Sequence, residues 1–277
     1  MTPEGTGAPA GPPEHPSVQH RVHVTGLDGK PRTATVALPL EFSSPLRPDL
    51  VRRAVIASQS HRRQPYGTSL TAGRRHSVEW SGKGKGVART PRLMDSMRGA
   101  QAPNTVGGGQ AHPPRVDRIW TKKINRKEAR RAFAAALAAT REPTLAVARG
   151  HEVPKGLHLP LVLEDPVEEI LTTKDARELL ERLEIWPDIE RAREGVQLRS
   201  GRARRRGRGR RVPRSLLVVT SRANRARGFQ NLPGVEVVPA RRLSTEDLAP
   251  GGDAGRLTVF SHAAVEQLRS RLAGEDA

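Results

Sequence analysis

Between residues 60 and 118 the chain abandons every hydrophobic period that could fold it. The stretch is rich in Gly, Pro, Arg and Ser, and sustains neither the period of 2 of a half-buried strand nor the 3.6 of an amphipathic helix. It is several times longer than the roughly 12–15 residues at which a structureless connection becomes unusual in a compact domain. Such a stretch is either disordered or shaped by a partner. Its composition selects the partner, because cations without hydrophobic anchors call for something that is itself charged.

The distribution of charge sharpens this. The 277 residues carry a formal net charge of +19. Arg47 to Arg131 holds 20 Lys/Arg against 5 Asp/Glu, a net of +15, and Arg199 to Arg227 holds 12 Lys/Arg with no acid, a net of +12. Subtracting both from +19 leaves −8 for the rest, an ordinary, mildly acidic composition. Arginine outnumbers lysine 40 to 8, and its planar fork grips phosphate oxygens in pairs and stacks on bases. RNA is the expected polyanion.

Within the long stretch, the run from Trp80 to Arg92 alternates glycines with cations. Gly82, Gly84 and Gly86 let backbone N–H groups approach phosphates, while Lys83, Lys85, Arg89 and Arg92 neutralise them. Arg62, Arg63, Arg74, Arg75, Arg98 and Arg115 complete the candidate contacts there. Tyr66 and Trp80, the aromatics of residues 60–118, could each stack an unpaired base. The bland alternative is a solvated glycine-rich linker. A second basic run lies at 199–214, with Arg202, Arg204, Arg205, Arg206, Arg208, Arg210 and Arg211 as candidate RNA contacts. Its mutual repulsion predicts flexibility in the free protein, and a merely solubilising or targeting run is the competing reading.

The remainder alternates strands and helices. HRVHV and TATVAL flank a Gly-Leu-Asp-Gly-Lys-Pro turn and predict a hairpin. Pro48 opens a helix with the stripe Leu50, Val51, Ala54, Val55 and Ser58. Asn125 with Glu128 suggests a capping box for a helix to about Thr140, striped by Ala129, Ala132, Phe133, Ala136 and Leu137. Thr172 with Asp175 suggests another, before Ala176, Leu179, Leu180 and Leu183. Strands are expected at Leu159–Leu163, Leu216–Thr220, Val235–Val238 and Leu257–Phe260, the last feeding a helix with Val265, Leu268 and Leu272. The pattern implies an α/β fold with a mostly parallel, doubly wound sheet. The expected organisation is a disordered Pro/Gly-rich tail at 1–17, one discontinuous domain from 18–59 and 119–277, the extended insertion at 60–118, and the Arg-rich surface loop at 199–214.

Several chemistries drop out. With no cysteine there is no disulfide, thiolate metal site or cysteine nucleophile. The glycines at 82–86 have neither the spacing of a phosphate-binding P-loop nor its strand-to-helix setting. The histidines are scattered, so no metal and no cofactor is expected. Glu164, Asp165, Glu168 and Glu169 could suggest a Mg²⁺-dependent nuclease, but acids before a helix also stabilise its start. The first 17 residues lack a charged start and apolar run, and the alanine-rich run near Ala132–Ala139 is too short to span a membrane. A cytoplasmic, non-enzymatic protein is expected. The competing classes are an α/β RNA-processing enzyme and a free-standing RNA-binding regulator.

The segments RPDLVRRAVIASQSHRRQPYGT (47–68), AGRRHSVEWSGKGKGVARTPR (72–92), AHPPRVDRIWTKKINRKEARRAFAAALAAT (111–140) and STEDLAPGGDAGRLTVFSHAAVEQL (244–268) together resemble the fourth universal protein family of the large ribosomal subunit ("L-four"), in its archaeal and eukaryotic form. The resemblance implies a Rossmann-like domain with helices on both faces of its sheet, and a long basic non-globular loop threaded into large-subunit rRNA. It also implies neighbouring ribosomal proteins as partners, a ribosome-bound location, and a loop tip at Gly82 to Arg92 lining the nascent-peptide exit tunnel. Arg74 and Arg75 would lie on the approach to that tip. The proline-rich start and the density of arginine at 199–211 depart from the family pattern.

Overall fold

The hairpin comes first. In the computed structural model, which describes residues 20–154 and 156–274, β1 (Arg21–Thr25) pairs antiparallel with β2 (Pro31–Ala37). Gly26 N donates to Lys30 O at 3.0 Å, and Gly29 takes the positive φ that the turn requires. The tail proposed for residues 1–17 lies outside the described residues.

The chain continues through α1 (Pro48–Ser60), the short strands β3 (Val78–Trp80) and β4 (Pro91–Leu93), α2 (Arg126–Ala139), α3 (Pro143–Ala148), β5 (Leu161–Leu163), α4 (Thr173–Arg182) and α5 (Trp186–Glu194). It then forms β6 (Gln197–Leu198), α6 (Gly201–Arg205), β7 (Arg210–Arg211), β8 (Leu217–Thr220), β9 (Glu236–Pro239), α7 (Thr245–Leu248), β10 (Thr258–Ser261) and α8 (His262–Ala273). The main sheet has six strands in the order β2-β1-β5-β10-β8-β9, and every pair except β1–β2 is parallel. This is the mixed, mostly parallel α/β sheet that strand–helix alternation predicts. No helix among the described residues is long and apolar enough to cross a membrane.

Two folded units emerge. One comprises residues up to Ser58 and from Lys123 onward; the other is Gln59–Lys122. The sheet belongs to the first and is apolar on both faces, as the unbroken apolar strands require. Register explains how. Val162 pairs with Phe260, and Phe260 with Val219, and all three enter a cluster with Val51 and Val55 of α1, Leu137 of α2 and Val265 and Leu268 of α8. The alternate residues Leu161, Val259 and Val218 enter another, with Leu179 and Leu180 of α4 and Ile189 of α5. Phe42 meets Phe260 edge-on, with ring centroids 5.8 Å apart.

Local expectations needed correction in places. Asn125 occupies the N-cap of α2 but makes no side-chain cap bond. Glu128 instead reaches Arg53 on α1, with Nη1 3.1 Å from its Oε1. Nor does α2 stay amphipathic, since every residue from Ala134 to Thr140 is buried. In α1, Ala57 is buried where Ser58 was expected, and Ile56 is exposed. Thr172 caps α4, accepting from Asp175 N at 3.2 Å, which is half of the expected capping box; the reciprocal pair forms instead at Ser244 and Asp247 of α7. Helices α3 and α5 were not anticipated; both are short and carry proline at N1 or N2, which was the available start signal.

The acidic cluster turns out to be structural. Glu168 is buried and accepts from Ser221 N, Ser221 Oγ and Ser261 Oγ, tying the ends of β8 and β10 together. Asp165 accepts from Ala263 N at 2.8 Å in the first turn of α8.

Arg256, the bulkiest fully buried side chain, spreads its donors over Ser215 O, Leu216 O, Gly234 O, Asp247 O and Glu236 Oε2, the last at 2.6 Å. Burial lowers its pKa, and the Glu236 carboxylate opposes that. Removing the guanidinium takes a buried donor from the Ser215 and Asp247 carbonyls and from the Glu236 carboxylate at once, while Leu216 O and Gly234 O keep their backbone partners. Arg256→Met should therefore cost on the order of 3 kcal/mol in urea-induced unfolding, whereas a loss under about 1 kcal/mol would show that these bonds are dispensable.

Candidate nucleic-acid interface

The inserted unit, Gln59–Lys122, is shaped by backbone rather than by a core. Its base is closed by Lys122 N donating to Ser60 Oγ at 2.8 Å. Higher up, Thr68 N donates to Pro114 O at 3.0 Å. Gln101 reaches across to Arg74 O and His76 O, and Gly109 N returns to Gln101 O. The two legs touch so closely at Gly73 that a Cβ there would lie 2.4 Å from Gly108 O. The stretch expected to lack structure of its own is therefore a laddered pair of legs carrying a small hairpin.

That hairpin is β3–β4, with Val78 opposite Leu93 and Trp80 opposite Pro91. Its connection holds Gly82, Gly84 and Gly86 at φ of +65°, +81° and +64°, and a Cβ at any of the three would meet nothing within 4 Å. All three positions face open space.

The expected contact residues divide by what they already touch. Lys83, Lys85, Arg89, Arg98 and Arg115 are exposed and make no ion pair with any described residue. Arg74 and Arg75 are exposed on one leg, with Arg75 Nε donating to Thr71 Oγ1 at 3.0 Å. Arg92 is committed inward, donating to Met97 O at 2.8 Å and Ala88 O at 3.3 Å. Its guanidinium braces the hairpin. Arg62 is exposed near the base. Arg63 lies over Trp120 at 4.1 Å, and Arg118 is also 4.4 Å from that ring's centroid. Trp120 was missed because it lies just past the stretch that lacked a period; a Trp within two residues of Arg118 was the available signal. Tyr66 and Trp80 are 74% and 71% exposed, so each ring face is open to a flat partner.

The second basic run is also more ordered than expected. β6 and β7 pair with Gln197 opposite Arg211 and Leu198 opposite Arg210, and α6 forms the turn between them. Arg202, Arg204, Arg205, Arg206, Arg208, Arg210 and Arg211 are all exposed and without a carboxylate partner among the described residues.

Just behind that ribbon sits a cluster no sequence spacing revealed. His151, Asp188 and Ser215 are buried together. The trio resembles a nucleophilic triad, but its geometry is wrong for one. Ser215 Oγ donates to Asp188 at 2.5 Å rather than to His151, and His151 Nδ1 lies 3.1 Å from both Asp188 oxygens. Arg191 Nε donates to the same carboxylate at 2.9 Å. Burial alone would raise the pKa of Asp188, yet the hydrogen bond and charge of His151, with bonds from Ser215 and Arg191, bring it down to about 2. The carboxylate is a structural hub.

Comparison with known proteins settles the lineage. Residues 36–271 match the Ribosomal protein L4/L1 family, spanning both units. The chain belongs to this family. It is 45% identical over 261 residues to the "Large ribosomal subunit protein uL4" of Pyrobaculum aerophilum, covering 93% of this chain and 91% of that protein. The protein of the same name from Methanopyrus kandleri is 43% identical over 90% of this chain and 98% of its own length. That from Halobacterium salinarum is 42% identical over 91% of this chain and all of its own. The L4/L1 match thus takes in the Gly/Lys hairpin, the Arg-rich ribbon and the sheet from β5 onward.

Two outcomes are expected from this geometry. Gly73→Ala should loosen the legs and speed amide exchange through residues 68–114, while Gly84→Ala, facing only the φ penalty of about 1–2 kcal/mol, should leave exchange there unchanged. Asp188, with its folded pKa depressed, contributes stability in full above the unfolded value near 4, and this is lost as pH falls toward about 2. The contribution is about 2 kcal/mol. Melting followed from pH 6 to pH 2 should fall less steeply for Asp188→Asn than for the parent chain.

Proposed function

We propose that the protein is a structural constituent of the large ribosomal subunit that binds and organises its rRNA through the inserted unit. The observation carrying this reading is a ladder of backbone bonds whose outward cations, Lys83, Lys85, Arg89, Arg98 and Arg115, have no counter-charge of their own. Membership of the L4/L1 family supports it independently. Phosphates provide the missing charge, and release of their condensed counterions drives the association. Arg62, Arg63, Arg74 and Arg75 extend the contact down the legs, and Tyr66 and Trp80 stack unpaired bases. Arg92 supports the hairpin and offers only what its two carbonyl bonds leave over. The Arg-rich ribbon supplies a second rRNA contact.

The finer assignment is the tip. The tip from Gly82 to Arg92 lines the nascent-peptide exit tunnel, where small glycines leave room for a passing chain and cations hold the tip among phosphates. Its partners are therefore large-subunit rRNA, neighbouring ribosomal proteins and the nascent peptide, in the cytoplasm. The Rossmann-like sheet acts as a platform, and its buried Ser/His/Asp cluster has no open face for a substrate.

Gly67 abuts Pro114, Arg115 and Val116, with its Cβ position 2.6 Å from Val116 N, so the legs can be rejoined at this level. A protein lacking residues 67–112 should keep a cooperative melt and the far-UV signature of its sheet unit. Its share in large subunits on sucrose gradients should fall at least about tenfold, or 1.4 kcal/mol. Normal incorporation of the shortened protein would remove the basis for this reading.

A further inference from the structure

The Arg-rich ribbon and the inserted unit are both basic, but they are built for different RNA. Residues 195–214 contain no aromatic side chain and no acid, whereas the inserted unit exposes Tyr66 and Trp80. Without aromatic rings the ribbon lacks the broad stacking platforms that chiefly hold single strands, and its arginines are left to phosphates first. What it can engage is the sugar–phosphate backbone.

The ribbon is also a frame rather than a tail. Arg199 N donates to Gly209 O at 2.8 Å, Arg208 N to Ala203 O at 3.0 Å, and Arg206 N to Arg202 O at 3.1 Å. Its feet are fixed. Pro213 packs so closely on Gly195 that a Cβ there would lie 2.8 Å from the ring, and Arg191 joins Arg214 O to the buried Asp188. Eight exposed arginines, from Arg199 to Arg211, are thereby confined to a folded-back segment roughly 20 Å long.

Charge density then decides the partner. With one phosphate per ~1.7 Å of axis, a duplex offers about twelve over that span, whereas one strand at ~3.4 Å offers about six. The duplex therefore presents the denser array of phosphates to cations confined in this way. We propose that the ribbon at 197–211 is a docking surface for double-helical RNA, recognised through its backbone, while the inserted unit takes unpaired nucleotides. The inference rests on the RNA-binding reading above and adds a division of labour to it.

The test uses the full chain, fluorescence anisotropy, and two probes of equal charge: a blunt RNA duplex of about 12 base pairs and an oligouridylate of about 24 nucleotides. Replacing Arg204, Arg205, Arg206 and Arg208 with Gln should weaken duplex binding at least about tenfold and flatten its log K against log salt slope by up to about 3.6, changing oligouridylate binding less than about threefold. Tyr66→Ala with Trp80→Ala should show the reverse preference. Both proteins should melt like the parent, since these side chains are exposed; the four-lysine version of the ribbon, which keeps the charge, should retain most duplex affinity. Equal weakening on both probes, or a larger loss on oligouridylate, would overturn the inference and leave the RNA-binding reading standing. Loss of binding to a polyglutamate chain with duplex binding intact would overturn it in favour of an acidic protein partner. A parent chain that bound neither RNA would overturn both.

Discussion

Positive charge without a matching negative one is the constraint on which this molecule is organised. An arginine or lysine cannot be buried unless its donors are satisfied and its charge is opposed. The sheet unit meets that condition internally. Buried Arg256 is enclosed by four carbonyls and Glu236, while at the surface of the same unit Arg53 reaches Glu128 and Arg32 reaches Glu164 and Asp28. The inserted unit cannot, because Glu79, Asp95 and Asp117 are its only acids. Its cations stay outside, and its form must come from something other than a core.

That something is close backbone contact. Where the legs meet, glycine takes the place of side chains: Gly73 sits against Gly108, and Gly67 against Pro114 and Arg115. At the tip, glycines serve the opposite purpose, taking left-handed turns in open space. One residue type thus does two jobs, close approach along the legs and reversal at the end. The Arg-rich ribbon solves the same problem differently. It rests on a buried polar hub in which Asp188 joins His151, Arg191 and Ser215. Charge displayed at the surface is held by charge neutralised beneath it.

The sheet was legible because its signals were local and agreed with one another. The turn at Gly26–Pro31, the Thr172 cap and the unbroken apolar strands each follow from residues within one or two turns of each other. Failures came where a residue was taken by a partner that no period or capping rule names, whether distant or only a few residues away. Glu128 was spaced to cap α2, yet Arg53, 75 residues earlier, holds it instead. Arg92 looked like its neighbours Lys83 and Arg89, but carbonyls of Met97 and Ala88 fold it inward. His151, Asp188 and Ser215 are spread over 65 residues, and no spacing rule joins them.

What the sequence by itself determined was the class of element, the two-sided apolar sheet and the placement of charge, because period and composition are properties of neighbouring residues. The identity of the candidate contact segments followed from the same source. Only the tertiary structure decided which cations remain outward-facing, which acids become structural ties, and that the inserted stretch has a laddered form. Those outcomes depend on which groups meet across long separations in the chain, and a hydrogen bond or ion pair between distant residues leaves no periodic trace in either segment.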